Sequence, residues 1–502
     1  MFKKILIANR GEIAIRVAKA CRELGISTVG VYSTVDKSSY HLRFMDETVC
    51  IGDPAPQASY LNIEKIIDVA KKTGAQAVHP GYGFLAENAQ FAKVCEDASI
   101  VFIGPGSEAL ALVGDKVASR NTVKAAGVPI IPGMEGVSIE LGSFKKMAAE
   151  VGYPVIIKAS MGGGGKGMRI VRSEKELEAS IAAGQREAKS AFGDDTVYLE
   201  KYIDKPHHIE FQVLRDHFGN VVHLYERECS IQRRHQKIIE ETPSPVLDEV
   251  LRTKMGDTAK KVIDAADYTN AGTVEFLLDQ DKNFFFLEVN ARIQVEHPIT
   301  EMVTGVDLVR QQIMIAAGMK IEFKQDEISQ HGHAIESRIY AEDPENSFLP
   351  SPGGILFLLE PNGPGVRVDS GIYQGWDVPP HYDPILSKLI TWAEKRQMSI
   401  VRMSNALKNY IILGIKTNVG FLKRIMNTKE FINGNYHTHF IDENKSDLVP
   451  KHDKIHNALI AAALISLEKK GRTKAGVSLQ MRDSRTETTP WQELGHWEIC
   501  RH

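Results

Sequence analysis

The chain of 502 residues carries 61 Lys and Arg against 64 Asp and Glu, a net charge of -3, and 43% of its residues are hydrophobic. This length and composition predict about three globular domains and exclude intrinsic disorder, collagen and coiled coil. Because no basic excess is present to hold a polyphosphate backbone, we expect no nucleic-acid partner.

Cysteine usage and the apolar segments indicate the compartment. The five cysteines lie far apart and form no zinc-type cluster, which predicts free thiols in a reducing environment. The longest uncharged apolar stretch, residues 458–467, is about half of a membrane span. The N-terminal apolar run, residues 5–8, meets Arg10 too soon for a signal peptide. We therefore expect a cytoplasmic protein with no membrane partner.

The N-terminal pattern predicts a β-α-β unit with a parallel sheet. Residues 5–8 form a buried-strand pattern, Ile13 and Val17 mark one face of a helix, and residues 28–32 form a second strand. The intervening turn lacks the GxGxxG pattern of a dinucleotide site. A further strand at 77–79 leads to Tyr82 and Glu87, at the sheet edge where ligands bind in open α/β folds. A plain strand-to-helix turn explains this segment equally well.

A glycine-rich loop joins two predicted strands, residues 154–160 and 168–171. It contains Gly162, Gly163, Gly164 and Gly165, followed by Lys166, and Lys158 lies on the first strand. Consecutive glycines expose backbone N–H groups that suit a flap over phosphate oxygens. The loop is not a Walker A motif, because no Ser or Thr follows the lysine and a strand rather than a helix comes next. A flexible turn remains the alternative.

The strongest polar pattern lies between residues 288 and 296. In an extended chain, period 2 places Glu288, Asn290, Arg292, Gln294 and Glu296 on one face. An amphipathic strand with a solvated face is the alternative, but that face lacks Lys or Thr.

A hairpin brings a second acid to this face. Strands predicted at 274–278 and 284–287 flank a turn, so Glu275 can lie opposite Glu288. Two carboxylates and the Asn290 oxygen form a hard, anionic pocket of the kind that holds magnesium against nucleotide phosphates.

A third cluster, residues 226–237, is rich in hydrogen-bond donors that include Gln232, His235 and Lys237. A solvated basic strand or loop is the alternative. Upstream, residues 198–203 form a predicted interdomain strand whose backbone can meet a purine edge. Cys229 in the cluster is interpreted as a buried structural thiol.

Together these features resemble the ATP-grasp enzymes and, more closely, the biotin carboxylases. The resemblance covers residues 1 to about 447 and rests on collinear blocks at 4–16 (KILIANRGEIAIR), 79–88 (HPGYGFLAEN), 160–168 (SMGGGGKGM), 227–237, 288–301 (EVNARIQVEHPITE) and 332–344. It implies an α/β and α+β fold with a parallel-sheet N-terminal domain at 1–115 and an ATP-grasp domain at 116–330, whose lid spans about 131–203. A C-terminal domain at 331–447 and a disordered or partner-docking tail at 448–502 complete the chain.

The same resemblance implies a role for each matched residue. Residues holding ATP phosphates are Lys116, Lys158, Lys166 and the four glycines; Glu200 with the backbone of Lys201 and Ile203 meets adenine; and His208, Gln232 and His235 line the nucleotide pocket. Magnesium or manganese is held by Glu275, Glu288 and Asn290, and bicarbonate by Lys237, Arg292, Gln294 and the Val295 backbone. Glu296 is the base, Arg338 stabilises the biotin enolate, and Tyr82 lies beside biotin.

The resemblance also implies partners. Arg16, Glu23 and Arg367 match a homodimer interface. The sequence contains no Ala-Met-Lys-Met motif, so we expect biotin to be supplied in trans by a carrier protein. The acceptor (acetyl-CoA, propionyl-CoA or pyruvate) is then decided in a carboxyltransferase subunit. Two rival hypotheses are another bicarbonate-using ATP-grasp ligase and a non-catalytic ATP-binding regulatory subunit.

Overall fold

The first hundred residues build a parallel sheet, as the β-α-β pattern predicts. A computed structural model describes residues 1–134, 140–159, 168–234, 236–450, 460 and 462–465. The N-terminal elements are β1 (Lys4–Ile7), α1 (Gly11–Glu23), β2 (Ser27–Ser33), β3 (Glu47–Gly52), α2 (Ile63–Thr73), β4 (Ala77–His79), α3 (Ala89–Asp97), β5 (Val101–Phe102) and α4 (Ser107–Gly114). The five strands pair in parallel in the order β3-β2-β1-β4-β5. The helix predicted near Glu87 begins at Ala89, because the Asn88 side chain caps it by accepting from the Phe91 N–H at 2.7 Å.

A small antiparallel sheet follows. Its elements are α5 (Lys116–Ala125), α6 (Leu141–Val151), β6 (Val155–Ala159), β7 (Arg169–Val171), α7 (Glu174–Phe192) and β8 (Val197–Lys201), with the strand order β7-β6-β8. Phe144, Val155, Ile157 and Leu199 are fully buried in its core. The alternation that buries Ile157 turns Lys158 to the other face, where it lies opposite Tyr198. The predicted glycine flap lies outside the described residues.

The next region provides antiparallel strands of a larger sheet. These elements are β9 (His207–Arg215), β10 (Val221–Arg233), β11 (Gln236–Thr242), α8 (Glu249–Ala265), β12 (Asn270–Leu278), β13 (Phe284–Asn290), α9 (His297–Thr304), α10 (Leu308–Ala316) and β14 (His333–Tyr340). The predicted hairpin is confirmed, because β12 and β13 pair with Glu275 directly opposite Glu288.

The C-terminal elements extend that same sheet. They are β15 (Glu342–Asp343), β16 (Leu349–Pro350), β17 (Gly353–Gly354), β18 (Phe357–Leu359), β19 (Val366–Ser370), β20 (Asp377–Val378), β21 (Ile385–Ala393), α11 (Arg396–Asn409), β22 (Ile411–Leu413), α12 (Val419–Ile425), α13 (Lys429–Asn433) and α14 (Phe440–Glu443). The sheet has eight strands in the order β13-β12-β9-β10-β11-β14-β21-β19. Residues far apart in the chain therefore share one continuous surface.

The extended face predicted over residues 288–296 is correct only as far as Asn290, where β13 ends. Beyond it the Ala291 N–H donates to Glu87 Oε1 at 3.0 Å instead of to a strand. Pro298 then lies in the first turn of α9, where proline favours helix initiation. The apolar alternation continues because Ala291 and Ile293 pack into two different hydrophobic clusters, not because the chain stays in the sheet.

The chain divides into two units, Met1–Val449 and Pro450–His502. In the second unit, the described residues 460 and 462–465 are helical. The domain boundaries predicted within the first unit stay predictions. Among the described residues, no helix combines the length and the apolar character that crossing a membrane requires. Cys21, Cys50, Cys95 and Cys229 are free, as predicted for those four cysteines.

Candidate functional site

A cavity of about 820 Å³ is lined by residues from both the small and the large antiparallel sheets. The predicted site residues that line it are Lys116, Lys158, Glu200, Lys201, Ile203, His208, Gln232, Lys237, Glu275, Glu288, Asn290, Arg292, Gln294, Val295 and Arg338. Glu296 lies behind this wall, fully buried. Gly162–Gly165, Lys166 and His235 fall outside the described residues. The structure thus brings together side chains that the sequence spreads over more than two hundred positions.

The acid pair occupies the β12–β13 hairpin. Asn290 Nδ2 donates to Glu275 Oε1 at 2.8 Å, so the amide that follows Glu288 on the same strand face also reaches Glu275. Burial and the nearby charge of Glu275 raise the pKa of Glu288. Burial alone would also raise the pKa of Glu275, but Lys237 and His208 outweigh it and hold that pKa well below its usual value. One acid is already paired with cations, and the other carries charge that a further cation would stabilise.

Lys237 on β11 is the centre of a carboxylate cluster. Its Nζ lies 2.8 Å from Glu275 Oε1 and 2.8 Å from Glu296 Oε1, and it also donates to Glu210. Gln294 Oε1 accepts from the same ammonium at 3.3 Å. Burial lowers the pKa of Lys237, but these three carboxylates outweigh burial and raise it well above its usual value. The residue is a fixed cation at any physiological pH.

Glu296 is held between two cations from different parts of the chain. Arg338 on β14 places Nη2 2.9 Å from Glu296 Oε2, while Lys237 contacts the other oxygen. Although burial raises the pKa of Glu296, Lys237 and then Arg338 lower it below its usual value. Arg338 Nε also donates to Glu240 Oε1 at 2.6 Å, and burial raises the pKa of Glu240 to about 7. Glu296 is therefore ionised at neutral pH.

Arg292 lies between the N-terminal sheet and the acid hairpin. Its Nη2 donates to Asn290 Oδ1 at 3.0 Å, and its Nε lies 3.3 Å from Glu87 Oε2. Glu87 thus meets the site from the carboxyl edge of the parallel sheet, as its position in the sequence predicts. Tyr82, from the same edge, donates its hydroxyl to Glu12 and is half-buried behind the cavity wall.

The opposite end of the cavity is formed by the small sheet. Lys158 Nζ donates to Glu200 Oε2 at 2.6 Å, and Arg120 donates to the other oxygen. The Lys201 N–H donates to the Pro132 carbonyl at 2.7 Å, so that backbone donor is already used. The lining here also includes the apolar side chains of Ile131, Ile156, Met168, Leu277 and Phe286. A basic rim beside an apolar slot suits a flat ring attached to phosphates.

Sequence reasoning missed two charged residues of this cluster as site residues. Glu210 is fully buried on β9, contacts Lys237 and accepts from Arg227 Nε at 2.5 Å. Its signal was available, because His208, Glu210 and Gln212 alternate along one strand face and all three are buried. Glu240 gave no such signal. Cys229 is fully buried, and burial raises its thiol pKa well above its usual value, as expected for a structural cysteine.

Family models match three consecutive parts of the chain. Residues 1–110 match the biotin carboxylase N-terminal domain, residues 115–324 the ATP-binding domain of the carbamoyl-phosphate synthase L chain, and residues 336–443 the biotin carboxylase C-terminal domain. With the cavity between two antiparallel sheets, these matches define an ATP-grasp protein.

Curated relatives and solved structures narrow the class. The chain is 53% identical to biotin carboxylase of Nostoc sp. over 88% of this chain and 99% of the relative. It is 55% identical to a pyruvate carboxylase subunit of Methanothermobacter thermautotrophicus, over 88% and 90%. The biotin carboxylase domain dimer of Hydrogenobacter thermophilus 2-oxoglutarate carboxylase, bound to MgADP, ADP and bicarbonate, superposes with a TM-score of 0.87 at 47% identity, over 90% and 99%. Biotin carboxylase of Campylobacter jejuni gives 0.85 at 47% identity, over 88% and 99%. The chain belongs to the biotin carboxylase family.

Proposed function

We propose that this protein uses ATP and bicarbonate to carboxylate biotin carried by a separate carrier protein. The observation that carries the proposal is the position of Glu296, a buried carboxylate held by Lys237 and Arg338 beside a pair of acids in one cavity. A base next to an anion site and a metal-type acid pair is what bicarbonate activation by a nucleoside triphosphate requires.

Bicarbonate is a poor nucleophile until it loses its proton. Lys237 and Arg292 supply two cations to bind it, and Gln294 and Val295 line the same wall. With its lowered pKa, Glu296 is a weak base while Lys237 pairs with it. An arriving bicarbonate draws Lys237 toward itself, and Glu296 becomes more basic as that ion pair weakens. The deprotonated oxygen then attacks the γ-phosphoryl group, releasing ADP and forming carboxyphosphate.

The acid pair fits a divalent cation. Glu275, Glu288 and Asn290 provide oxygen atoms, the ligands that magnesium and manganese prefer. The raised pKa of Glu288 reflects uncompensated negative charge that such a cation would neutralise. These three residues would hold the ion, which would stabilise charge on the transferred phosphoryl group. Lys158 and Lys116, with the glycine segment 162–166, would bind the ATP phosphates.

Arg338 serves the second half of the reaction. Carboxyphosphate breaks into carbon dioxide and phosphate, and the phosphate removes the ureido proton of biotin. The biotin nitrogen then attacks carbon dioxide, and negative charge develops on the ureido oxygen meanwhile. A guanidinium fixed by Glu240 and Glu296 is a preorganised donor for that oxygen. Tyr82, on the N-terminal side, would flank the biotin ring.

The proposal includes an assembly. The expected partners, acting in the cytoplasm, are a biotin carboxyl carrier protein and a carboxyltransferase that selects the acyl acceptor. A homodimer is supported by an exposed apolar ribbon, because Phe357, Leu359, Ile411 and Leu413 lie on one face of the β18–β22 pair and are 37% to 53% exposed. Arg16 and Arg367, expected at the interface, both pair with Glu301 inside one chain. Their role would then be to shape that surface from beneath.

The test is ADP release by the purified chain with magnesium, with and without bicarbonate and free biotin. We expect slow turnover that needs bicarbonate and accelerates with biotin. Bicarbonate-dependent turnover that ignores biotin would favour another ATP-grasp ligase. ATP binding without turnover would favour a regulatory subunit.

A further inference from the structure

Lys388 is a fully buried lysine for which the sequence predicted no role. It lies on β21, where its register partners are Arg338 on β14 and Asp369 on β19. Three ionisable residues thus form a row across neighbouring strands of the large sheet. The row begins at the guanidinium that contacts Glu296 and continues away from the cavity.

The Lys388 ammonium reaches two segments outside its own strand. Nζ donates to the Val295 carbonyl at 2.9 Å and lies 3.2 Å from Glu12 Oε2, with Asp369 Oδ2 at 3.9 Å. The other Glu12 oxygen, Oε1, accepts from the Tyr82 hydroxyl. A single side chain therefore links the loop that carries Gln294 and Glu296 to the segment that carries Tyr82.

Charge balance alone does not account for this arrangement. A buried ion pair is a poor source of stability, because desolvating both charges offsets their attraction and an apolar residue of similar size often serves as well. The shortest bond of Lys388 goes to a neutral carbonyl, which its charge does not need. That bond holds the peptide immediately before Glu296, where a small displacement moves the carboxylate relative to Lys237 and Arg338.

We infer that Lys388 is a positioning residue that fixes the Val295–Glu296 peptide and, through Glu12, the Tyr82 side chain. It touches neither substrate. It holds the wall of the bicarbonate site and the flank of the biotin site at a set distance from one another. This inference rests on the proposed function, because it assigns the two segments to the two substrates.

The test compares steady-state kinetics of Lys388→Met with those of the wild-type chain. Methionine keeps the length and the apolar stem and removes the ammonium. We expect the KM for bicarbonate and the KM for biotin each to rise about tenfold or more, the effect of loosening a bound geometry, while the KM for ATP stays within about twofold. Leu389→Val is the matched control, because Leu389 is fully buried on the same strand but belongs to the C-terminal hydrophobic cluster. It should lower thermal stability and leave all three KM values unchanged.

Two further variants keep the inference decidable. Tyr82→Phe removes only the hydroxyl that donates to Glu12, so it should raise the KM for biotin and leave that for bicarbonate. If Lys388→Met does not fold, Lys388→Arg keeps the charge but replaces the ammonium with a longer planar group, and the same selective rise is expected. A variant of Lys388 that folds and matches Leu389→Val in all three KM values would overturn the inference. A wild-type chain without biotin-stimulated turnover would instead contradict the proposed function.

Discussion

Arg338 Nη2 lies 2.9 Å from Glu296 Oε2, which joins β14 to the loop that follows β13. The two residues approach from distant positions in the eight-stranded sheet order, because β13 is an edge strand and β14 lies five strands away. The loop after β13 must therefore cross the sheet face to bring Glu296 to Arg338. The fold assembles the base and its second cation from separate parts of the chain.

Arg338→Ala should impair biotin carboxylation far more than the slow ATP hydrolysis that occurs without biotin. In the proposed mechanism Arg338 acts after carboxyphosphate has formed, and loss of one preorganised donor costs about 10²- to 10³-fold. Arg292→Ala should impair both activities, because Arg292 helps to bind bicarbonate. ADP formation with and without biotin measures the asymmetry. Arg233→Ala is the control, since it removes an arginine–carboxylate pair with Glu342 outside the cavity. Equal losses for Arg338→Ala in both assays would contradict the assigned role.

Glu296→Gln should retain ATP binding and lose about 10²- to 10⁴-fold of the bicarbonate-dependent turnover, the usual loss for removal of a general base. The amide keeps the size of the side chain but cannot accept the bicarbonate proton. Equilibrium binding of an ATP analogue and turnover against pH are the measurements. A variant with a near-wild-type rate across the pH range would show that another group is the base.

Glu288→Gln should raise the magnesium concentration needed for half-maximal activity by at least about tenfold, a loss of ~1.4 kcal/mol or more. The reason is the loss of one anionic oxygen opposite Glu275. Titration of activity with magnesium at saturating ATP measures the change, and Glu322→Gln, an exposed acid outside the cavity lining, is the control. An unchanged magnesium dependence would place the metal elsewhere.

Glu241 should make the folded state sensitive to acid. It lies 2.5 Å from His333 Nε2 and 2.7 Å from Arg396 Nε. Burial opposes the shift, but these partners lower the pKa of Glu241 from 4.5 to about 2. A carboxyl group with a lowered pKa stabilises the fold above its unfolded pKa, and that stability is lost as pH falls through the folded value. The contribution is up to about 3 kcal/mol.

The free energy of unfolding in urea, measured from pH 7 to pH 2, tests this effect. The wild-type chain should lose stability between about pH 4.5 and pH 2, following the shift of this group. Glu241→Gln should be less stable at pH 7 and fall less steeply across that window. Parallel curves for the two proteins would show that Glu241 does not control the acid transition.

Local pattern predicted the acid hairpin but not the path of the chain beyond it. Glu275 lies opposite Glu288 because a short turn fixes the register of two adjacent strands, and both strands and turn are visible in the sequence. The end of β13 at Asn290 was not predictable, because it depends on Glu87, about two hundred positions earlier in the chain, accepting from the Ala291 N–H. Polar alternation looks the same whether a chain stays in a sheet or leaves it.

The cation cluster shows the same division. The sequence blocks identified Lys237, Arg338 and Glu296 through family resemblance, since their meeting requires β11 and β14 to be neighbours in one sheet. Nothing local predicts that pairing. Glu240 and Lys388 escaped notice because single charged residues in apolar strands carry no periodic signal, and their contacts are made only when the sheet is complete.

The most direct test of the account is transfer of radiolabel from bicarbonate to free biotin by the purified chain with ATP and magnesium. The account predicts acid-labile label on biotin that requires ATP and is lost in both Glu296→Gln and Arg338→Ala. ADP release with no label on biotin, at any biotin concentration, would contradict it.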